Sequence, residues 1–234
     1  RARQKMTGSE TKPGQADNIH IRVIKLSESD DVLKFIRIHF YPDEPMNIGS
    51  AQGHPDLEDE QFNISQIAHG SSLMAVQQET TDGILSERIV GVLLSGPKYS
   101  NEAEHLFKEA DRHSSDNWDR LFQIFAQAER DANVFERYNV EKALHVNASG
   151  VHRSFRGRGI GTKLKEKLAD LGRELNYPLM TTDCASFYSA QVSERMGMEC
   201  VNVIKYADYL DEEGNVVFQP PMPHEYLKTY AMRL

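Results

Sequence analysis

Apolar residues recur along this chain with two different periods, and the switches between them divide it into strands and helices. Ile19 to Leu26 alternates apolar and polar positions with β-branched side chains, the period-two pattern of a half-buried strand. Ser29 is a suitable N-cap for a helix to about Phe40, with Asp30 and Asp31 in its first turn, and Pro42 and Pro45 prevent its continuation. Glu60 to His69 predicts a second helix, ended by Gly70. Ser72 to Gln78 and Arg88 to Ser95 predict the two strands of a hairpin around a polar turn at Thr80 to Gly83. Asn101 to His113 is polar and reads as helix. Trp118 to Asn133 places Leu121, Phe122, Phe125, Ala128 and Ala132 near one helical face.

The second half repeats the alternation. Ala143 to Val151 predicts a strand. Ile160, Leu164, Leu168, Leu171 and Leu175 follow at spacings of four, four, three and four, a helical stripe expected to pack in the core. Pro178 to Asp183 predicts a strand, Ser186 to Met196 a helix ended by Gly197, and Cys200 to Tyr206 another strand. After a turn at Glu213-Gly214-Asn215, Val216 to Phe218 leads into a rigid loop holding Pro220, Pro221 and Pro223. Tyr226 to Leu234 alternates as a last strand. Helices alternating with strands predict one α/β domain over residues 19–234. Residues 1–18 are polar, lack the apolar core of a signal peptide and read as a disordered leader. Arg1 to Lys5 read as vector-derived residues ahead of a native start at Met6.

Composition narrows the class. The 234 residues are 39% hydrophobic and 26% charged, ordinary globular values, and no apolar run reaches membrane-spanning length. A net charge of -8 disfavours nucleic acid and suits a cationic small substrate. Cys184 and Cys200 lack metal-ligand spacing, and the nine histidines are scattered, so no metal is expected. Two cysteines without a disulfide framework suit a reducing compartment, and the expectation is a cytoplasmic monomer.

The chemistry concentrates where the Ala143–Val151 strand feeds the helix. Val151-His152-Arg153-Ser154-Phe155-Arg156-Gly157-Arg158-Gly159-Ile160-Gly161-Thr162-Lys163 is an Arg- and Gly-rich turn opening directly into the helical stripe. Glycines let the backbone approach a ligand, and free N–H groups at a helix start attract anions. Arg156, Arg158 and Lys163 add positive charge, so a pyrophosphate is the expected ligand. Thr162 stands where a dinucleotide fingerprint needs its third glycine, and Gly161-Thr162-Lys163 reverses the P-loop order.

What fits is Arg156-x-x-Gly159-x-Gly161, which resembles the acyl-CoA motif of GNAT N-acetyltransferases. Three further segments are similar to insect arylalkylamine N-acetyltransferases. They are Asp43-Glu44-Pro45-Met46-Asn47, Cys184-Ala185-Ser186-Phe187-Tyr188-Ser189-Ala190 and Phe218-Gln219-Pro220-Pro221-Met222-Pro223-His224. The resemblance implies a GNAT-fold domain with a mixed, partly splayed seven-stranded sheet and helices on both faces. It implies acetyl-CoA as co-substrate, with the pantetheine arm along Ser149 to Val151 and the pyrophosphate on the N–H groups of Arg158, Gly159, Ile160, Gly161 and Thr162, with Arg156 and Gly157 beside them. It implies Glu44 as general base, acting through water, and Ser189 as hydrogen-bond donor to the departing sulfur, with Tyr188 as the neighbouring alternative.

Ala185 departs from relatives that carry a serine four residues before the one matching Ser189. Ser186 is one residue off and, on a helix, would point about 100° away. Tyr41, Met46 and Phe187 are the expected walls of the amine pocket. The carboxylates Asp43, Asp56, Glu58, Asp59 and Glu60 would instead serve a polyamine. The expected reaction is direct acetyl transfer to an arylalkylamine such as dopamine, serotonin, tyramine or histamine. Two alternatives stay open: a polyamine or agmatine N-acetyltransferase, and a non-catalytic CoA-binding GNAT-fold protein, which Ala185 keeps in view.

Overall fold

The computed structural model describes residues 18–81, 84–101, 104, 106, 108 and 116–234. Seven strands form one mixed sheet in the order β1-β2-β3-β4-β5-β7-β6. They are β1 (Ile19–Val23), β2 (Leu73–Thr81), β3 (Ile84–Tyr99), β4 (Lys142–Val151), β5 (Leu179–Cys184), β6 (Glu199–Lys205) and β7 (Tyr226–Arg233). The β4–β5 pair is parallel and every other pairing is antiparallel. The helices are α1 (Ser29–His39), α2 (Pro45–Ile48), α3 (Leu57–Ser65), α4 (Asp116–Ala132), α5 (Val134–Tyr138), α6 (Ile160–Glu174) and α7 (Phe187–Arg195). This is a single GNAT-fold α/β domain with helices on both faces of its sheet.

The period of two assigns each strand residue to a face. Leu73, Ala75, Leu93, Leu144 and Val146 face α6, where they bury Ile160, Leu164 and Leu168. Their neighbours Met74, Val76, Val92, Leu94 and Ala148 point the other way and bury Val32, Phe35 and Ile36 of α1. Each buried aliphatic side chain contributes about 1.5–3 kcal/mol. A third cluster joins Leu121, Phe122 and Ile124 of α4 to Met46, Ile204, Tyr206, Phe218 and Leu227. Gly91 sets how close α6 comes, since a Cβ there would lie 2.9 Å from Ile160 Cγ2.

The feature that opens the sheet lies in β4. Its register with β3 shifts between Leu94 and Ser95, leaving Asn147 as an extra residue on β4. On the other edge β4 pairs with β5 only through Leu144, His145 and Val146. From Asn147 to Val151 that edge has no strand partner among the described residues. The result is a cleft between β4 and β5 whose floor is unpaired backbone.

Several boundaries differ from the sequence expectation. Strand β1 stops at Val23 because Leu26 begins a 3-10 turn with its side chain exposed. Pro45 does not only end a helix: it occupies the first position of α2, where its missing N–H costs nothing. Helix α3 starts at Leu57 and tightens to a 3-10 turn over Gln66–His69, closed by Gly70 at φ 72°. Helix α5 was not foreseen. The stripe on α6 ends at Leu171: Leu175 is the C-cap, no longer helical, and is 42% exposed rather than in the core. Val216 to Phe218 forms only an isolated bridge, Leu210 with Val216. The Arg1–Asp17 part of the leader, most of Asn101–His113, and Asp82 and Gly83 of the hairpin turn lie outside the described residues.

Candidate active site

The Arg- and Gly-rich turn closes one end of the cleft. Gly157 and Gly159 sit at φ 76° and 77°, a conformation that favours glycine, and Gly159 is the N-cap of α6. A Cβ placed on either would meet nothing within 4 Å, and one on Gly161 would meet only Val151 Cγ2, at 3.9 Å. The protein leaves this space for something else. The first N–H groups of α6, on Ile160, Gly161 and Thr162, have no acceptor within their own helix, and the helix dipole is positive there. These residues fit a pyrophosphate, as acetyl-CoA would present.

The charge at the turn is less than expected. The Arg156 guanidinium donates to Val151 O at 3.1 Å, to His39 O at 3.0 Å and to Asp43 Oδ2 at 2.7 Å. It is an internal brace, its charge matched by Asp43. Asp43 also accepts from Arg153 at 2.9 Å. Burial alone would raise the Asp43 carboxyl, but hydrogen bonds from Arg153 and Arg156 outweigh it and hold the group below its ordinary range. Arg158 donates to Ser154 O at 3.1 Å and lies over the Phe155 ring. The anion site is thus mainly backbone N–H groups, with arginines shaping the turn.

Glu44 follows Asp43 directly, so the Arg156–Asp43 brace fixes it relative to the turn. Glu44 is the N-cap of α2, and its Oε2 accepts from Asn47 N–H at 2.8 Å. Its carboxyl lies deep among protein atoms while the residue keeps some accessible surface, as a group opening into a cleft would. Burial pushes its pKa up to about 7, against the opposing hydrogen bonds from the Asn47 and Met46 backbone. Asp59 of α3 is buried beside it. Burial and then the Glu44 charge push Asp59 up to about 8. Asn63 donates to Asp59 Oδ1 at 2.8 Å and to Tyr41 Oη at 3.1 Å. Tyr41 and Met46 are 3% and 2% exposed, and Met46 packs in the cluster around Phe218.

Across the cleft, β5 ends at Cys184 and α7 begins. Ser186 is its N-cap, at φ -105° and ψ 146°. Because this backbone is extended, the helical 100° offset expected for Ser186 does not apply. Its hydroxyl donates to Ser189 Oγ at 2.9 Å and accepts from Ser189 N–H at 3.0 Å, while Ser189 Oγ donates to Ser186 O at 2.9 Å. A serine pair therefore exists although residue 185 is alanine. Tyr188 and Phe187 stand at the surface, Tyr188 at 62% exposed. The Phe187 N–H donates to His224 Nδ1 at 3.1 Å, and the Tyr188 and His224 rings meet edge to face at 5.7 Å. The proline-rich loop also reaches the Glu44 segment: Gln219 N–H donates to Gly49 O at 2.9 Å. The three similar segments and the glycine turn, far apart in sequence, are linked by direct contacts.

Spacing alone did not mark Asp59 out from the neighbouring carboxylates, nor Ser186 as the partner of Ser189. Asp59 lies in the acidic first turn of α3, where carboxylates ordinarily complement the helix dipole. Ser186 was read as helical rather than as a cap. Among the described residues no group of histidines, cysteines and carboxylates has the arrangement of a metal site. No helix there is long and apolar enough to cross a membrane.

Splayed sheet, open glycine turn and orphan helix N–H groups define an α/β acetyltransferase. The pattern of the acetyltransferase (GNAT) family matches residues 97–198. The chain is similar to an agmatine N-acetyltransferase, 33% identical with a TM-score of 0.85 over 93% of this chain and 100% of that one. It is similar to a Drosophila melanogaster polyamine N-acetyltransferase that catalyses formation of N-acetylagmatine, 34% identical with a TM-score of 0.83 over 92% and 100% of the two chains. A mosquito arylalkylamine N-acetyltransferase-like 5b protein is 29% identical with a TM-score of 0.84 over 92% and 100%. The chain belongs to the GNAT acetyltransferases, which use acetyl-CoA.

Proposed function

We propose that this protein transfers acetyl from acetyl-CoA to a primary amine, with Glu44 as general base and Ser189 as hydrogen-bond donor to the departing thiolate. The observation that carries the reading is the buried Glu44 carboxyl. It caps α2 through the Asn47 N–H, next in sequence to the Asp43 that Arg156 of the glycine turn binds, and has a pKa pushed up to about 7. An alkylammonium, with a pKa of about 10.4, is mostly protonated at neutral pH and must lose a proton before it attacks. A base poised near the working pH does this best. Glu44 takes that proton, directly or through one water.

Acetyl-CoA bound at the turn supplies the activated acetyl group. The Gly159–Thr162 backbone holds its pyrophosphate, and the unpaired edge of Ser149 to Val151 takes its pantetheine arm. A backbone N–H at the end of β4 near Val151 is the donor for charge developing on the thioester oxygen. Ser189 turns its hydroxyl from Ser186 O toward the leaving sulfur, and Ser186 holds it in place meanwhile. Cys184 is 1% exposed, which supports direct transfer without an acetyl-enzyme.

The geometry best supports an acceptor with a second positive charge, of the agmatine or polyamine class. Asp59 is buried beside Glu44, and Asp56 Oδ2 is buried with no hydrogen-bond partner. Tyr41 and Met46, expected as aromatic and apolar pocket walls, are instead enclosed by core. The arylalkylamine reading rests on Phe187 and Tyr188, exposed aromatic rings that meet edge to face beside His224. The test is CoA release with spermidine, agmatine, tyramine, dopamine, serotonin and histamine, on wild type and Glu44→Gln. Turnover of agmatine or spermidine that Glu44→Gln abolishes supports the reading. Turnover of aromatic amines alone moves the acceptor to the second class, and acetyl-CoA binding without turnover of any amine leaves a non-catalytic CoA-binding protein.

A further inference from the structure

Among the described residues two lysines are buried, and of these two one has an ion-pair partner. Lys98 sits 2.7 Å from Glu129 and 3.5 Å from Asp183. Lys165, on α6, is 3% exposed, and among the described residues no carboxylate lies at ion-pair distance from it. Its Nζ donates to Ser193 Oγ at 2.8 Å and lies 3.9 Å from Cys184 Sγ. Ser193 Oγ, itself fully buried, donates onward to the carbonyl oxygen of Ser189 at 3.2 Å. Burying an amine without a counter-charge costs free energy that an apolar residue of the same length would not cost. Burial accordingly pushes the Lys165 ammonium below its ordinary range. A group that costs stability and is still placed with a full chain of hydrogen bonds calls for another role.

Its position suggests that role. Lys165 lies one helical turn beyond Gly161, on the helix whose N-terminus faces the open glycine turn. Ser193 lies one turn beyond Ser189, on the helix that carries the serine pair. The amine is the polar link between these helices in an otherwise apolar seam of Leu164, Leu168 and Ala190. We propose that Lys165 is a positioning residue that fixes Ser189 relative to the acyl-CoA turn by holding Ser193 against the Ser189 carbonyl. A hydroxyl that must meet a leaving sulfur tolerates little displacement, and the apolar contacts of this seam fix distance better than rotation about the α7 axis. The Lys165–Ser193–Ser189 chain fixes that rotation.

This rests on the assignment of Ser189 as hydrogen-bond donor to the leaving sulfur, so the experiment separates the two. Lys165→Met keeps the side-chain length and removes the amine. Its kcat is expected to fall by about 10- to 100-fold, the scale of a displacement of an ångström or less. Acetyl-CoA affinity is expected to stay within about twofold and the melting temperature to be unchanged or higher, because a buried polar group has gone. In the Ser189→Ala background Lys165→Met is expected to cost little more, because both changes act through one group. Ser193→Ala, which cuts the same chain from the other side, is the second variant should Lys165→Met fold poorly, and it should lower kcat alike. An unchanged kcat, additive losses in the double variant, or a lower melting temperature with kcat intact in the folded fraction would each overturn the proposal. A Ser189→Ala enzyme with wild-type kcat overturns the assignment of Ser189, and the positioning role with it.

Discussion

Glu44 is held by opposing forces that can be measured apart. Burial raises its pKa to about 7 and the α2 backbone N–H groups lower it. The folded-state pKa lies above the unfolded value, so its contribution to stability is present below pH 4.5 and is lost as pH rises through about 7. Glu44→Gln should therefore be more stable than wild type at pH 8, by about 2–3 kcal/mol, and nearly equal at pH 4. Its kcat should fall by roughly 10²–10⁴, the usual worth of a general base. In wild type kcat/KM should rise with pH through an apparent pKa near 7, and that limb should vanish in the variant. Ser186 makes a second prediction at this scale. Ser186→Ala removes the N-cap of α7, costing about 1 kcal/mol in a denaturant titration. It also removes the Ser186 Oγ hydrogen bond to Ser189 Oγ and leaves only the one to the Ser186 carbonyl, so kcat should fall toward that of Ser189→Ala. Glu44 was legible in the sequence only through its segment's resemblance. What makes it suited to the task, the depth of its carboxyl, depends on distant segments, as the charge coupling of Glu44 with Asp59 and with Tyr206 shows.

At the scale of elements, the glycine turn and the Gly49 contact do the positioning. Gly159→Ala places a Cβ at φ 77°, a strain of about 1–2 kcal/mol, and points a methyl group into the open cradle. Acetyl-CoA affinity should drop more than stability does, a split that isothermal titration beside thermal melting reads directly. Gly49 shows the reverse case: its φ is ordinary, but a Cβ there would lie 2.5 Å from Pro220 N. Gly49→Ala should displace the proline-rich loop, cost about 1–3 kcal/mol and raise the amine KM. The turn was readable because a strand, an Arg–Gly run and a helical stripe are all local. Gly49 was not, because its reason for being glycine lies 170 residues away in sequence.

A ligand seated at the start of α6 beside the open edge of β4 would bind the folded chain and not the unfolded one, so ligand and fold should stabilise each other. Acetyl-CoA at 100 times its Kd should add about 2.7 kcal/mol. For a chain of this length that is a rise in melting temperature of roughly 5–10 °C. Gly159→Ala should lose most of that rise at the same ligand concentration.

Local pattern determined the seven strands, the main helices and the glycine turn between strand and helix, while the acetyltransferase class came from the resemblance of short segments to a family. Period-two and period-3.6 burial and glycine chemistry are properties of neighbouring residues, so any reading of the chain meets them. The tertiary structure decided what depends on distant segments meeting. Asp43 neutralises Arg156, Asp59 lies beside Glu44, and Tyr41 and Met46 are enclosed rather than lining a pocket. Ser186 becomes a cap through a backbone angle that spacing cannot encode. Burial, pKa and pairing are set by what packs against a side chain from elsewhere, and here those partners come from other elements, as Asp43 and Arg156, 113 residues apart, show.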